Sequence, residues 1–263
     1  MDRKLKQIII VFAYVVLFSG AAYLVFKLVS HPTCTDEKKN GNEQGIDCGG
    51  PCLKQCVDNP ELEAIQIGVP SLLNDNGRYD AAIEIRNPNS DYGFYSVSYK
   101  VTLFKGSAAI AERKGITYIL PDEQRYVLEL GMEAKEVPDR AVMAIENYKT
   151  RAFRDIEKPK FEIINKNHRY ARVPGSFFET TFQVANRSNY NVNRVDLDVV
   201  LRDYSGKIIA INKGNINALH SGDIRDFRSF WPKEFRGEVR DVDVRAEADV
   251  MDLDNLITLS SPK

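Results

Sequence analysis

The sequence is poor in the residues from which catalytic and metal centres are built. Histidine occurs three times in 263 residues, at His31, His168 and His220, too thinly for a histidine-based metal site or a proton relay. There is one tryptophan, Trp231, and no cysteine beyond Cys56. Serine nucleophile elbows, phosphate-cradling glycine loops and H-E-x-x-H stretches are all missing. Neither charge is in surplus: 36 Lys and Arg are interleaved with 37 Asp and Glu, for a net charge of −1. Binding to a phosphate backbone needs a basic excess or stripe, so no nucleic-acid partner is expected. Helical periodicity is absent from Leu62 onward. An enzyme is therefore the least favoured reading.

What is present divides the chain into four parts. Ile8 to Phe26 is a run of nineteen residues without a charge, about 28 Å long as a helix. Arg3, Lys4 and Lys6 precede it and Lys27 follows, so residues 1–30 are expected to form a transmembrane signal-anchor with a cytoplasmic N-terminus. Membrane lipid is then one partner, and the bulk of the chain lies outside the cytoplasmic membrane. A cleaved signal peptide, cut near Ser19-Gly20-Ala21, is the competing reading. Tyr23-Leu24-Val25-Phe26 carries the apolar run past that point, which favours the anchor.

All four cysteines, Cys34, Cys48, Cys52 and Cys56, fall between residues 31 and 57. In an export compartment they are expected to be oxidised, forming a disulfide-rich collar. Three pairings exist. Two of them close rings over only three residues; Cys34–Cys52 with Cys48–Cys56 avoids every tight ring and is favoured on strain grounds. A four-thiolate zinc site is the rival, but C-x2-C knuckles are missing. Asp36, Asn40, Glu43 and Asp47 are hard oxygen donors in a loop bent by Gly41 and Gly45, a set that could hold calcium; a solvated acidic loop is the plainer reading.

From residue 58 the period is two. Val97-Ser98-Tyr99-Lys100-Val101-Thr102-Leu103 alternates apolar and polar, as a half-buried strand does. It follows the turn signal Asn87-Pro88-Asn89-Ser90 and precedes Lys105-Gly106. The same order returns later in the chain: Asn87 corresponds to Asn186, Val97 to Val195, Tyr99 to Leu197 and Leu103 to Leu201. A repeat of domain length means tandem copies, expected over residues 58–153 and 154–263. Six or seven short strands per copy predict two immunoglobulin- or fibronectin-like antiparallel β-sandwiches, and the fold class is mainly β.

Three resemblances enter on these residues. The cysteine stretch, with Asp47-Cys48-Gly49-Gly50-Pro51-Cys52 at its centre, resembles a short cysteine motif of secreted and surface-anchored microbial proteins, which implies exposure to the outside. The first copy, with Ile85-Arg86-Asn87-Pro88-Asn89 before its alternating strand, resembles the WHy (water stress and hypersensitive response) domain. The second, with Val184-Ala185-Asn186-Arg187-Ser188 and Leu201 to Gly206, is similar to the FxLYD bacterial surface domain. Both resemblances imply a sandwich.

Three further groups are candidates for function. Tyr92, Phe94 and Tyr95 cluster after the turn and could form an aromatic binding tip, with at least one directed to the core. Asp196 and Asp198 share a strand face; a solvated face is expected in preference to a carboxylate pair. Trp231 is expected to pack in the second core rather than bind a ligand. The function predicted is a non-catalytic surface interaction or structural module with other envelope proteins as partners; the alternative is a module holding a glycan or peptide. No cofactor other than calcium is expected.

Overall fold

Period-two patterning does become strand. In the computed structural model the described residues are 62–75, 77–153, 157–173 and 175–257, with 3, 7, 12, 14–20, 23, 34, 42, 43 and 50–52 before them. Two compact units divide the chain, Met1–Glu61 and Leu62–Lys263.

The second unit contains the repeat. In the first copy, β1 (Gln66–Ile67) and β2 (Ser71–Asp75) lie along one edge of β3 (Arg78–Arg86), whose other edge pairs with β6 (Gln124–Glu133). The facing sheet has β4 (Tyr92–Lys105) in the middle, between β5 (Ala108–Ile119) and β7 (Arg140–Ala152). The second copy repeats this topology. β9 (Ser176–Asn186) lies between β8 (Phe161–Val173) and β12 (Ile224–Trp231). β10 (Val192–Arg202) lies between β11 (Ile208–Leu219) and β13 (Asp241–Glu247). All pairings are antiparallel.

The reason for the repeat is the alternation itself. Val97, Tyr99, Val101 and Leu103 of β4 are buried in the first core with Ile83, Ile85 and Phe94. Val195, Leu197, Val199 and Leu201 of β10 are buried in the second with Phe178, Phe182 and Val184. A one-residue slip would turn each apolar set to the outer face, which fixes the register. Opposite Tyr99 stands Gly115, and opposite Leu197 stands Gly214. A Cβ at Gly115 would lie 2.3 Å from the Tyr99 hydroxyl, and one at Gly214 2.2 Å from the Phe227 ring, so only glycine lets the aromatic ring cross the strand.

The two turn asparagines are equivalent in detail. The Asn87 side-chain amide donates to the carbonyls of Tyr92 (2.7 Å) and Leu120 (2.9 Å) and accepts from the Asn89 amide (3.0 Å). The Asn186 amide donates to Tyr190 (2.8 Å) and Leu219 (3.3 Å) and accepts from the Ser188 amide (3.0 Å). Both are fully buried. Each satisfies backbone groups that the change of sheet leaves without ladder partners.

The first unit corrects one expectation. Among the described residues, no helix is long and apolar enough to cross a membrane. The transmembrane part of the predicted fold class is thus overturned, while the mainly β part stands. The remainder of the apolar run lies outside the described residues.

Candidate functional site

The clearest concentration of buried charge is the seam between the copies. The outer face of β3 and β6 packs on the outer face of β10 and β11, with Ala82, Tyr126 and Leu128 meeting Val200, Ile208 and Ile211. Burial on both faces is why β6 reads Tyr126-Val127-Leu128 and β10 reads Val199-Val200-Leu201 without alternation.

Arg125 of β6 is buried at this seam. Its guanidinium sits 4.0 Å over the Tyr118 ring, donates to the Tyr118 carbonyl (2.9 Å) and pairs with the Glu247 carboxylate of β13 (2.8 Å). Burial alone would depress the Arg125 guanidinium, but Tyr118, Glu247, Glu123 and Asp198 outweigh it and hold it charged. Burial pushes the Glu247 carboxyl up, with Arg125 opposing. A second bridge crosses the seam nearby. Arg245 pairs with Glu84 (2.7 Å) and stacks 4.0 Å over Tyr126, whose hydroxyl donates to Asp243 (3.1 Å) and accepts from Arg202 (2.6 Å). At one end, Tyr118, Leu120 and Phe153 pack on Val250 and Met251, and Arg151 donates to the Met251 carbonyl (2.8 Å).

Asp198 does not face water as expected. Its strand's outer face is covered by the first copy, leaving the residue 8% exposed. Burial pushes its carboxyl up to about 6, against the pull of Arg125 and Lys213. Asp196 is half-buried and accepts from the Arg194 guanidinium at 2.7 Å. The carboxylate-pair reading fares no better, since the two sit in different company.

No relative names this site. No family model matches the chain, and no curated protein sequence is similar to it.

The other sequence candidates are scattered. Phe94 enters the first core, meeting Tyr148 edge-on at 5.2 Å. Tyr92 and Tyr95 are half-buried, and Tyr95 lies under the Arg151 guanidinium at 5.3 Å. Trp231 is buried in the second core and donates to the Ile211 carbonyl (3.0 Å). Cys34 and Cys52 form a disulfide, one half of the favoured pairing. Cys48 and Cys56 lie outside the described residues, as do Asp36, Asn40 and Asp47. Glu43, the described member of the calcium set, is buried with its carboxylate 3.2 Å from Cys52 Sγ. A disulfide sulfur carries no charge and is no calcium ligand, so nothing described gathers an oxygen cage there.

Composition could not reveal the seam. A signal was present all the same: the apolar runs on β6 and β10 mark strands with two covered faces.

Proposed function

We propose that this chain is a non-catalytic, extracytoplasmic interaction module, presenting its two sandwiches as one body to other envelope proteins. The observation that carries the reading is the seam. Arg125 and Glu247 form a buried bridge between the copies and Arg245 and Glu84 a half-buried one, and a buried bridge of this kind favours one relative arrangement. A fixed pair of sandwiches offers a larger continuous surface than two jointed ones, which suits partner capture. The Cys34–Cys52 disulfide supports an oxidising compartment. The even mixture of charges supports protein rather than nucleic-acid partners.

Affinity capture of the full chain after crosslinking in intact cells tests this. The expected result is the same small set of envelope proteins in repeated captures, crosslinked through residues 62–263. Capture of cytoplasmic proteins alone, or of none, would overturn it.

A further inference from the structure

Beside the seam lies a cleft of about 390 Å3, walled by β4, β5 and β6 of the first copy and by β10 and β11 of the second. It falls in the size range of small-molecule sites, roughly 300–1,000 Å3. Its charged lining is unevenly satisfied. Arg194 holds Asp196 at 2.7 Å. Lys213 donates to the Leu128 carbonyl at 2.6 Å, and Arg125 is paired with Glu247. Asp198 also lines the cleft, buried, yet makes no hydrogen bond or close ion pair with any described residue.

The covered side chain makes the ionised form costly, while its oxygens open on the cleft and find no donor in the protein there. The Asp198 carboxylate therefore points to a ligand that supplies the missing donor. A simple organic cation does not fit, because Arg125, Arg194 and Lys213 all line the same space. A simple anion would leave Asp198 as it is. A molecule carrying both charges answers both needs.

We propose that the cleft binds a small zwitterion of the amino-acid class, with its ammonium on the Asp198 carboxylate and its carboxylate on Lys213 and Arg194 at the mouth. Both mouth residues are exposed and keep donors to spare. Lys213 has three N–H groups, with one on Leu128; Arg194 has five, with its Nε–H on Asp196. Exposed Ile116 on β5 offers an apolar wall for an aliphatic side chain. The groups acting on Asp198 are Arg125 from β6, Lys213 from β11, Asp196 from its own strand, and Arg245 and Glu247 from β13. Because an ammonium group binds the ionised form, uptake strengthens as Asp198 loses its proton.

Calorimetric titration of the oxidised full chain with glycine, L-alanine and L-leucine tests the proposal, with propylamine and acetate as single-charge controls. At least one amino acid is expected to bind, about tenfold more tightly at pH 7.5 than at pH 5, as ionisation of a group titrating near pH 6 requires. Asp198→Asn should weaken binding at least tenfold without lowering the melting temperature. Lys213→Met should weaken amino-acid binding and leave no preference over propylamine. The proposal is overturned if no amino acid binds, if propylamine binds as tightly as any, or if Asp198→Asn binds like the native chain. The pH dependence of the native chain decides the matter should that variant fail to fold. None of these results bears on whether envelope proteins are captured.

Discussion

β4 and β10 occupy the same place in their sandwiches and present matching apolar faces to their cores, yet their outer faces differ. On β4 the outward Lys100 is half-buried and pairs with Glu112 at 3.3 Å. Its counterpart on β10 is Asp198, buried at the seam, and two residues on Val200 packs into the cluster that joins the copies. The inward face records what a sandwich needs to exist. The outward face records what each copy does afterwards, and it is there that the duplicates have parted.

The strongest way to break the comparison is to remove the charge that the second copy's outer face has come to depend on. Arg125→Met should destabilise the protein by about 3–5 kcal/mol, because it leaves Glu247 buried without its partner. Adding Glu247→Gln should restore most of that loss in chemical denaturation; if the double variant is no better than the single one, the bridge is not what Arg125 supplies.

Next is the acid dependence of Asp198. Its folded-state pKa is raised from 3.8 to about 6, so the native state holds the proton more firmly than the unfolded chain. Stability from this group is full below about pH 4 and is lost as pH rises to about 6, by at most about 3 kcal/mol. Glu247 and Asp249 are raised as well, whereas Asp139, Asp203 and Asp223 are lowered and run the opposite way. Subtracting the melting curve of Asp198→Asn across this range isolates the seam's share. A difference that does not change with pH would mean that Asp198 is solvated.

Where the copies agree, so should their variants. Asn87→Ala and Asn186→Ala each strip two buried carbonyls of a donor and should each cost about 1–3 kcal/mol by denaturant titration. Unequal losses would show that the shared hydrogen bonds are not equally used. The smallest effect belongs to Lys100→Ala. The pair it breaks is solvent-screened, so less than about 0.5 kcal/mol should be lost, and a larger change would place an unseen partner on β4's outer face.

Core faces were legible in the sequence because burial on one side imposes a period of two, and the Cys34–Cys52 link was legible because the competing pairings closed rings over three residues. The seam was not. Asp196 and Asp198 flanking Leu197 look like any wetted strand face, and Arg125 looks like one more charge between Gln124 and Tyr126. Nothing local distinguishes a charge facing water from one facing another domain. Only the doubled apolar residues, Val199-Val200 on one side and Tyr126-Val127-Leu128 on the other, carried the information. The apolar run near the N-terminus misled in the opposite sense, since length and hydropathy alone suggested a spanning helix.

Tandem copies with one topology carry a hazard during synthesis, because a strand of one can be taken up by the sheet of the other. Lys100 and Asp198 bear on that error. Were β4 to enter the place of β10, its apolar face would fit the second core well enough, but an ammonium would arrive beside the Arg125 guanidinium in a water-poor space. Like charges there would repel, and Arg125 would lose the attraction that Asp198 gives it. The reversal of sign between two otherwise interchangeable strands thus acts as a proofreading mark, penalising the exchanged chain before it can settle.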